Sequence, residues 1–160
     1  MLNKFNTLSL SFLFLMFVLS FGTTTAFATE TNELTFSNLD DIKPGECVEY
    51  NVTNSKGLFK FTKKLISSTA TSKTWLVDGT FGIINAQFLV QVSNNQITFA
   101  GYPKIITIGA TYSDQEFNWN SHCVWLSFKV TDYFGIVSGT CWLRACVTGS
   151  NNDINVGGSF

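Results

Sequence analysis

Apolar and polar residues alternate with a period of two through most of this chain. Between Cys47 and Thr53, Val48, Tyr50 and Val52 fall on one face and Cys47, Glu49 and Asn51 on the other, because successive side chains of an extended strand point to opposite sides. Asn54 to Gly57 has the composition of a turn, and Leu58 to Ile66 reads as the returning strand of a hairpin. Within it, Lys60, Lys63 and Lys64 read as a solvated face or its turn. After a Ser/Thr-rich link, Trp75 and Val77 share a face, and Asp78-Gly79 predicts a tight turn. Ile84, Ala86, Phe88, Val90 and Val92 then alternate with polar residues, Ser93 to Asn95 turns the chain, and Ile97, Phe99 and Gly101 return it.

Tyr102-Pro103 is expected to end that strand, since proline has no ladder N–H to give. Ile105 to Tyr112 reads as one β-branched stretch closed by a turn at Ser113-Asp114. Two long strands follow. Cys123 to Thr131 sets Val124, Leu126, Phe128 and Val130 against Cys123, Trp125, Ser127 and Lys129. Phe134 to Val147 sets Val137, Gly139, Cys141, Leu143 and Ala145 against Ile136, Ser138, Thr140, Trp142 and Arg144. No stretch keeps a helical repeat. The pattern predicts an all-β, single-domain antiparallel β-barrel or β-sandwich of about eight to nine strands, stabilised by disulfides.

The first 28 residues change the picture of compartment. Lys4, the apolar run Leu8 to Phe21 and the small-x-small sequence Ala26-Phe27-Ala28 read as a cleaved signal peptide. Residues 29–160 are then one secreted domain, extracellular or periplasmic, with no stable membrane span after processing, since a span needs about 20 apolar residues. Without Lys4 the charge is nine cations against eleven carboxylates, a net −2, which argues against nucleic acid as a partner.

Four cysteines in an exported chain imply two disulfides among Cys47, Cys123, Cys141 and Cys146. A hairpin folded about Asp132 places Cys123 opposite Cys141 and leaves Cys47 for Cys146. Cys47–Cys123 with Cys141–Cys146 is the next pairing, although Cys141 and Cys146 differ by an odd number and face opposite ways in a regular strand.

Candidate chemistry gathers in Glu116 to Gly149. His122, the only histidine, lies between Ser121 and Cys123, and neighbours on a strand point away from each other, so no catalytic dyad is expected. One histidine and disulfide-committed cysteines leave a metal short of ligands, and neither a metal nor a cofactor is expected. Asn151-x-Asp153-x-Asn155-x-Gly157 has a calcium-loop flavour, but its glycine comes one place late and the bidentate glutamate is missing. A flexible polar tail is expected there.

Paired acids such as Asp40/Asp41, Glu46/Glu49 and Asp114/Glu116 leave a small carboxylate hydrolase as the enzymatic alternative. Trp119, Trp125, Trp142, Arg144 and Tyr133 are the candidate binding residues, suited to an aromatic-lined pocket or stacking face. The expected function is non-catalytic binding of a small apolar ligand or a glycan, with recognition of an extracellular protein as the alternative.

Overall fold

The computed structural model describes residues 32–34, 42–54, 57–135, 138–149 and 151–160. The expected signal peptide, residues 1–28, lies outside the described residues, as does the acidic pair Asp40/Asp41. Ten strands are present among those described: β1 (Asn32–Leu34), β2 (Cys47–Asn54), β3 (Gly57–Ser68), β4 (Ser72–Phe81), β5 (Ile84–Ser93), β6 (Gln96–Thr107), β7 (Ala110–Trp119), β8 (Cys123–Asp132), β9 (Ser138–Thr148) and β10 (Asp153–Ser159). They form two five-stranded sheets, β2-β3-β4-β5-β6 and β1-β10-β9-β8-β7, and every pairing among the described strands is antiparallel. The two sheets face each other in a sandwich-like arrangement and are not closed into one barrel.

Period-two patterning decides what lies between them. Phe59, Phe61 and Leu65 of β3, Trp75 and Val77 of β4, and the alternate residues Ile84 to Val92 of β5 meet Val124, Leu126, Phe128, Leu143, Ala145, Ile154 and Val156 from the other sheet. Approach is close where side chains are small. A Cβ on Gly79 would lie 2.9 Å from Leu143 and 3.0 Å from Phe160, and one on Gly158 would lie 2.8 Å from both Phe61 and the carbonyl oxygen of Trp142. Phe160 fills the gap these glycines leave, with its ring 6.3–6.4 Å from those of Phe59, Phe61 and Phe128.

Several expectations from local composition give way to tertiary context. β4 continues through Asp78-Gly79 and turns at Gly82. Asp78 is retained on the outer face by Asn85, whose amide donates to its carboxylate at 2.9 Å. β6 likewise runs through Tyr102-Pro103. Its register against β5 shifts there, with Gln87 opposite Lys104 but Leu89 opposite Gly101, and Tyr102 takes a positive φ of 57°. This is a bulge on an edge strand, the setting in which a missing N–H costs no ladder bond.

The stretch Ile105 to Tyr112 is divided between β6 and β7 by Ile108-Gly109, where Gly109 adopts φ +71°. Ser113-Asp114 is a bulge within β7 rather than a turn, with Asp114 at φ 51°. The C-terminal segment is no polar tail: β10 sits between β1 and β9 and buries Ile154 and Val156.

Lys63 corrects the reading of a solvated basic face. Its side chain is completely buried, because it shares the inward parity of Phe59, Phe61 and Leu65. Its Nζ donates to Asp153 Oδ1 at 2.5 Å and to the Ile154 carbonyl at 3.0 Å, and lies 5.1 Å from the centre of the Trp75 ring. Burial lowers the Lys63 pKa from its ordinary 10.5, opposed by the bond and charge of Asp153. Asp153, expected in a flexible polar tail, is thus turned toward a buried ammonium group.

The disulfides differ too. Cys123 bonds Cys146, while Cys47 is an exposed thiol and Cys141 a buried one, so the chain has one bridge among these four cysteines. The expected parity of β8 and β9 is correct, but the hairpin is centred between Phe134 and Gly135 rather than on Asp132, which pairs Cys123 with Cys146 and Phe128 with Cys141. Five residues of displacement on β9 keep Cys141 on the inward face and bring Cys146 to the outward one.

Candidate binding face

The turns collect at two ends of unlike chemistry. At one end Thr71, Asn95, Ser121 and Asn152 are knitted by hydrogen bonds. Asn95 N donates to Asn152 Oδ1 at 2.7 Å, Asn152 N returns one to Asn95 Oδ1 at 2.9 Å, Asn152 Nδ2 reaches the Thr71 carbonyl at 3.0 Å, and Ile97 N reaches the Ser121 carbonyl at 2.8 Å. At the other end the turns at Ile83, Ile108 and Tyr133 lie side by side, Ile108 N donating to the Ile83 carbonyl at 3.0 Å and Tyr133 N to the Gly109 carbonyl at 3.2 Å.

Between these ends, the outer face of β8 and β9 carries three of the five candidate binding residues. Trp125, Trp142 and Arg144 have the outward parity opposite to Val124, Leu126 and Leu143, and all three are half-buried. Arg144 is the cross-strand partner of Trp125 and its guanidinium lies 5.7 Å from the centre of the Trp142 ring, within the range of a cation–π contact. Ser127 stands opposite Trp142. The edge strand β7 extends both rows, placing Asn118 opposite Trp125 and Glu116 opposite Ser127, with Glu116 and Asn118 exposed. The result is an open surface of two indole rings and a guanidinium, bordered by an amide, a carboxylate and a hydroxyl.

Trp119 and Tyr133 do not join it. Trp119 is exposed at the end of β7, but it pairs with Val124 and shares the inward parity of Phe117, whose ring packs 5.7 Å from Phe88. Tyr133 belongs to the turn after β8, eight residues beyond Trp125, which at about 3.3 Å per residue puts it roughly 25 Å along the strand. The fourth tryptophan, Trp75, is core, and its indole N–H donates to the Asn152 carbonyl at 3.0 Å.

The geometry around His122 also departs from expectation. Ser121 and His122 lie in the turn between β7 and β8 rather than on a strand, and Ser121 Oγ is 2.8 Å from His122 Nδ1. The turn is set by Asn120, whose Oδ1 accepts from the backbone N–H groups of His122 and Cys123 at 2.8 and 2.9 Å. The parity argument therefore fails here. Both side chains are exposed, so water competes for the hydroxyl and the imidazole alike.

Among the described residues no group of three or more His, Cys, Asp or Glu side chains is arranged to hold a metal ion, and no helix is long and apolar enough to cross a membrane.

An all-β sandwich with an aromatic outer face is thus the class that the fold and this surface define. No protein-family model matches the chain, and no curated protein matches it. Among solved structures it is similar to a hypothetical protein, lmo2686, from Listeria monocytogenes EGD-e, at 19% identity and a TM-score of 0.45, covering 75% of this chain and 98% of that one.

Proposed function

We propose that this protein is an exported, non-catalytic binding protein that holds a glycan against the outer face of β8 and β9. The observation that carries the reading is the juxtaposition of Trp125, Arg144 and Trp142, with Asn118 directly across from Trp125. Indole rings offer the flat apolar faces that stack on the C–H faces of sugar rings, while the guanidinium between them and the amide at the rim offer hydroxyl partners. Export is supported by the apolar leader Leu8 to Phe21 and agrees with a disulfide in the fold.

The small-apolar-ligand alternative receives less support, because the space between the sheets is occupied by Trp75, Phe59, Phe61, Phe88, Phe128 and their neighbours. The test is a titration with chitohexaose and with cellohexaose, following tryptophan emission. A saturable change is expected, and Trp125→Ala should weaken it at least tenfold while the thermal midpoint moves little. If neither sugar changes the emission at millimolar concentration, or if the variant binds as the wild type does, the proposal fails.

A further inference from the structure

The end of the sandwich opposite the Asn95/Asn152 network is built from turns that carry apolar side chains into solvent. Ile83, Ile108, Tyr133 and Phe134 are 51, 70, 79 and 79% exposed. They come from three separate turns that are bonded backbone to backbone, Ile83 to Ile108 and Gly109 to Tyr133. Tyr133 and Phe134 stand edge to face with centroids 5.7 Å apart.

The segments Phe81-Gly-Ile-Ile84, Ile106-Thr-Ile-Gly-Ala110 and Tyr133-Phe-Gly135 contain no charged residue. Nothing in turn chemistry asks for this. At the polar end the left-handed positions are filled by Asn94, Asn95 and Asn152 together with Gly149, and asparagine is an ordinary choice for a solvated turn. At the apolar end Gly82, Gly109 and Gly135 take those positions, so the adjoining isoleucine, tyrosine and phenylalanine satisfy no backbone requirement.

We infer that this end of the protein is a membrane-docking tip, in which Ile83, Ile108, Tyr133 and Phe134 insert together into the interface of a zwitterionic lipid bilayer. The commitment to lipid rests on three features. The side chains project from turns that stand clear of the rest of the fold, since a Cβ added at Gly82, Gly109 or Gly135 would meet nothing within 4 Å, and such turns are free to enter a soft surface. The turns also supply backbone bonds of their own: Ile108 N, Tyr133 N and Gly135 N donate to Ile83, Gly109 and Asp132 carbonyls, and Thr107 Oγ1 donates to the Ala110 carbonyl at 2.7 Å. Shallow insertion therefore strands fewer polar backbone groups in a medium that offers them no partner. Finally, the three segments hold no Lys or Arg, so they lack the cation cluster that an anionic bilayer attracts, and neutral phosphatidylcholine is the fitting headgroup.

The test is co-sedimentation with extruded phosphatidylcholine vesicles. It uses the chain as recovered from expression, with its N-terminus established by intact mass. Wild type is compared with Tyr133→Ser/Phe134→Ser and with Ile83→Thr/Ile108→Thr, all carrying the same N-terminus, so that any contribution of Leu8 to Phe21 is common to all. Wild type should pellet with the vesicles, and each double variant should lose at least tenfold in partitioning while its thermal midpoint stays within a few degrees. A wild type that stays in the supernatant at millimolar lipid overturns the inference, as do variants that partition unchanged. Sedimentation velocity without lipid supplies the other arm: a wild-type dimer that Tyr133→Ser/Phe134→Ser dissolves would assign the tip to a second copy of the chain and overturn the lipid reading.

Discussion

Removing either partner of the Lys63–Asp153 pair should have unequal consequences, because the two groups are unequally buried. The Lys63 side chain is 0% exposed and that of Asp153 16%. Asp153→Ala takes away a carboxylate 2.5 Å from a fully buried ammonium, a change that typically costs about 3–5 kcal/mol. An upper bound comes from titration, since the lysine can shed its proton instead of remaining charged. Neutralising a lysine of ordinary pKa 10.5 costs about 5 kcal/mol at pH 7 and about 2 kcal/mol at pH 9, at 1.36 kcal/mol per unit.

Lys63→Met removes the ammonium, fills the site with apolar atoms and leaves a carboxylate that is partly solvated and still accepts from Ile154 N at 2.8 Å. A cost of about 1–2 kcal/mol is expected for it. Urea denaturation at pH 7 should therefore find Asp153→Ala less stable than Lys63→Met by roughly 2 kcal/mol. The sign of the pH dependence follows from the lowered native pKa of Lys63: protonation favours the unfolded chain, so its contribution to stability is lost as pH falls through the native value and is fully present above 10.5. Asp153→Ala should lower that native value further, and the gap between the variants should narrow between pH 7 and 9. Equal penalties at pH 7, or a gap that does not change with pH, would refute the reasoning.

Other consequences are checked more simply. The Cys123–Cys146 bridge spans 23 residues of sequence, so Cys123→Ser/Cys146→Ser should lower stability by about 3 kcal/mol in a urea titration. Iodoacetamide should modify the native protein once, at Cys47, and reach Cys141 only after unfolding, with the mass of the unmodified chain two hydrogens below the fully reduced value. Gly158→Ala should cost at least about 1–3 kcal/mol by thermal or urea unfolding, because its Cβ would meet the Trp142 carbonyl at 2.8 Å and backbone cannot step aside as a side-chain tip can.

The fold was legible wherever parity alone decides. Val124, Leu126, Phe128, Leu143 and Ala145 are inward and Trp125, Trp142 and Arg144 outward, as alternation requires. Register was not legible, because it depends on where the hairpin turns, and the apolar Tyr133-Phe134 pair disguises that turn. Composition misled at Asp78-Gly79 and Tyr102-Pro103, which look like strand ends. A cross-strand amide from Asn85 retains the first within β4, and a bulge on an edge strand absorbs the second. Lys63 was misplaced because charge was given more weight than its two-residue spacing from Phe61 and Leu65; the spacing carried the signal, and Asp153 is the distant partner no local window contains.

The candidate site was half legible for the same reason. Trp125, Trp142 and Arg144 share a face by alternation on two strands that were both recognised, so their meeting follows from parity together with the pairing of β8 and β9. Trp119 sits beyond the bulge at Asp114, and only its inward pairing with Val124 separates it from Asn118. The exposed turns required a different kind of reading. Glycine in Gly82, Gly109 and Gly135 announces the bends, but that Ile83, Ile108 and Tyr133 adjoin one another depends on β6 leaving one sheet and β7 entering the other through two residues.

That short connection ties the edges of the two sheets at one corner and thereby aligns turns from both sheets in a single row. A sandwich arranged in this way separates its chemistries along its length. Amide-filled turns close one end, the aromatic and guanidinium face lies on the flank, and apolar side chains project from the other end. If the tip rests on a bilayer, β8 and β9 stand away from the membrane and hold Trp125 and Arg144 outward, so that the proposed glycan face and the proposed docking tip occupy different surfaces and can act together.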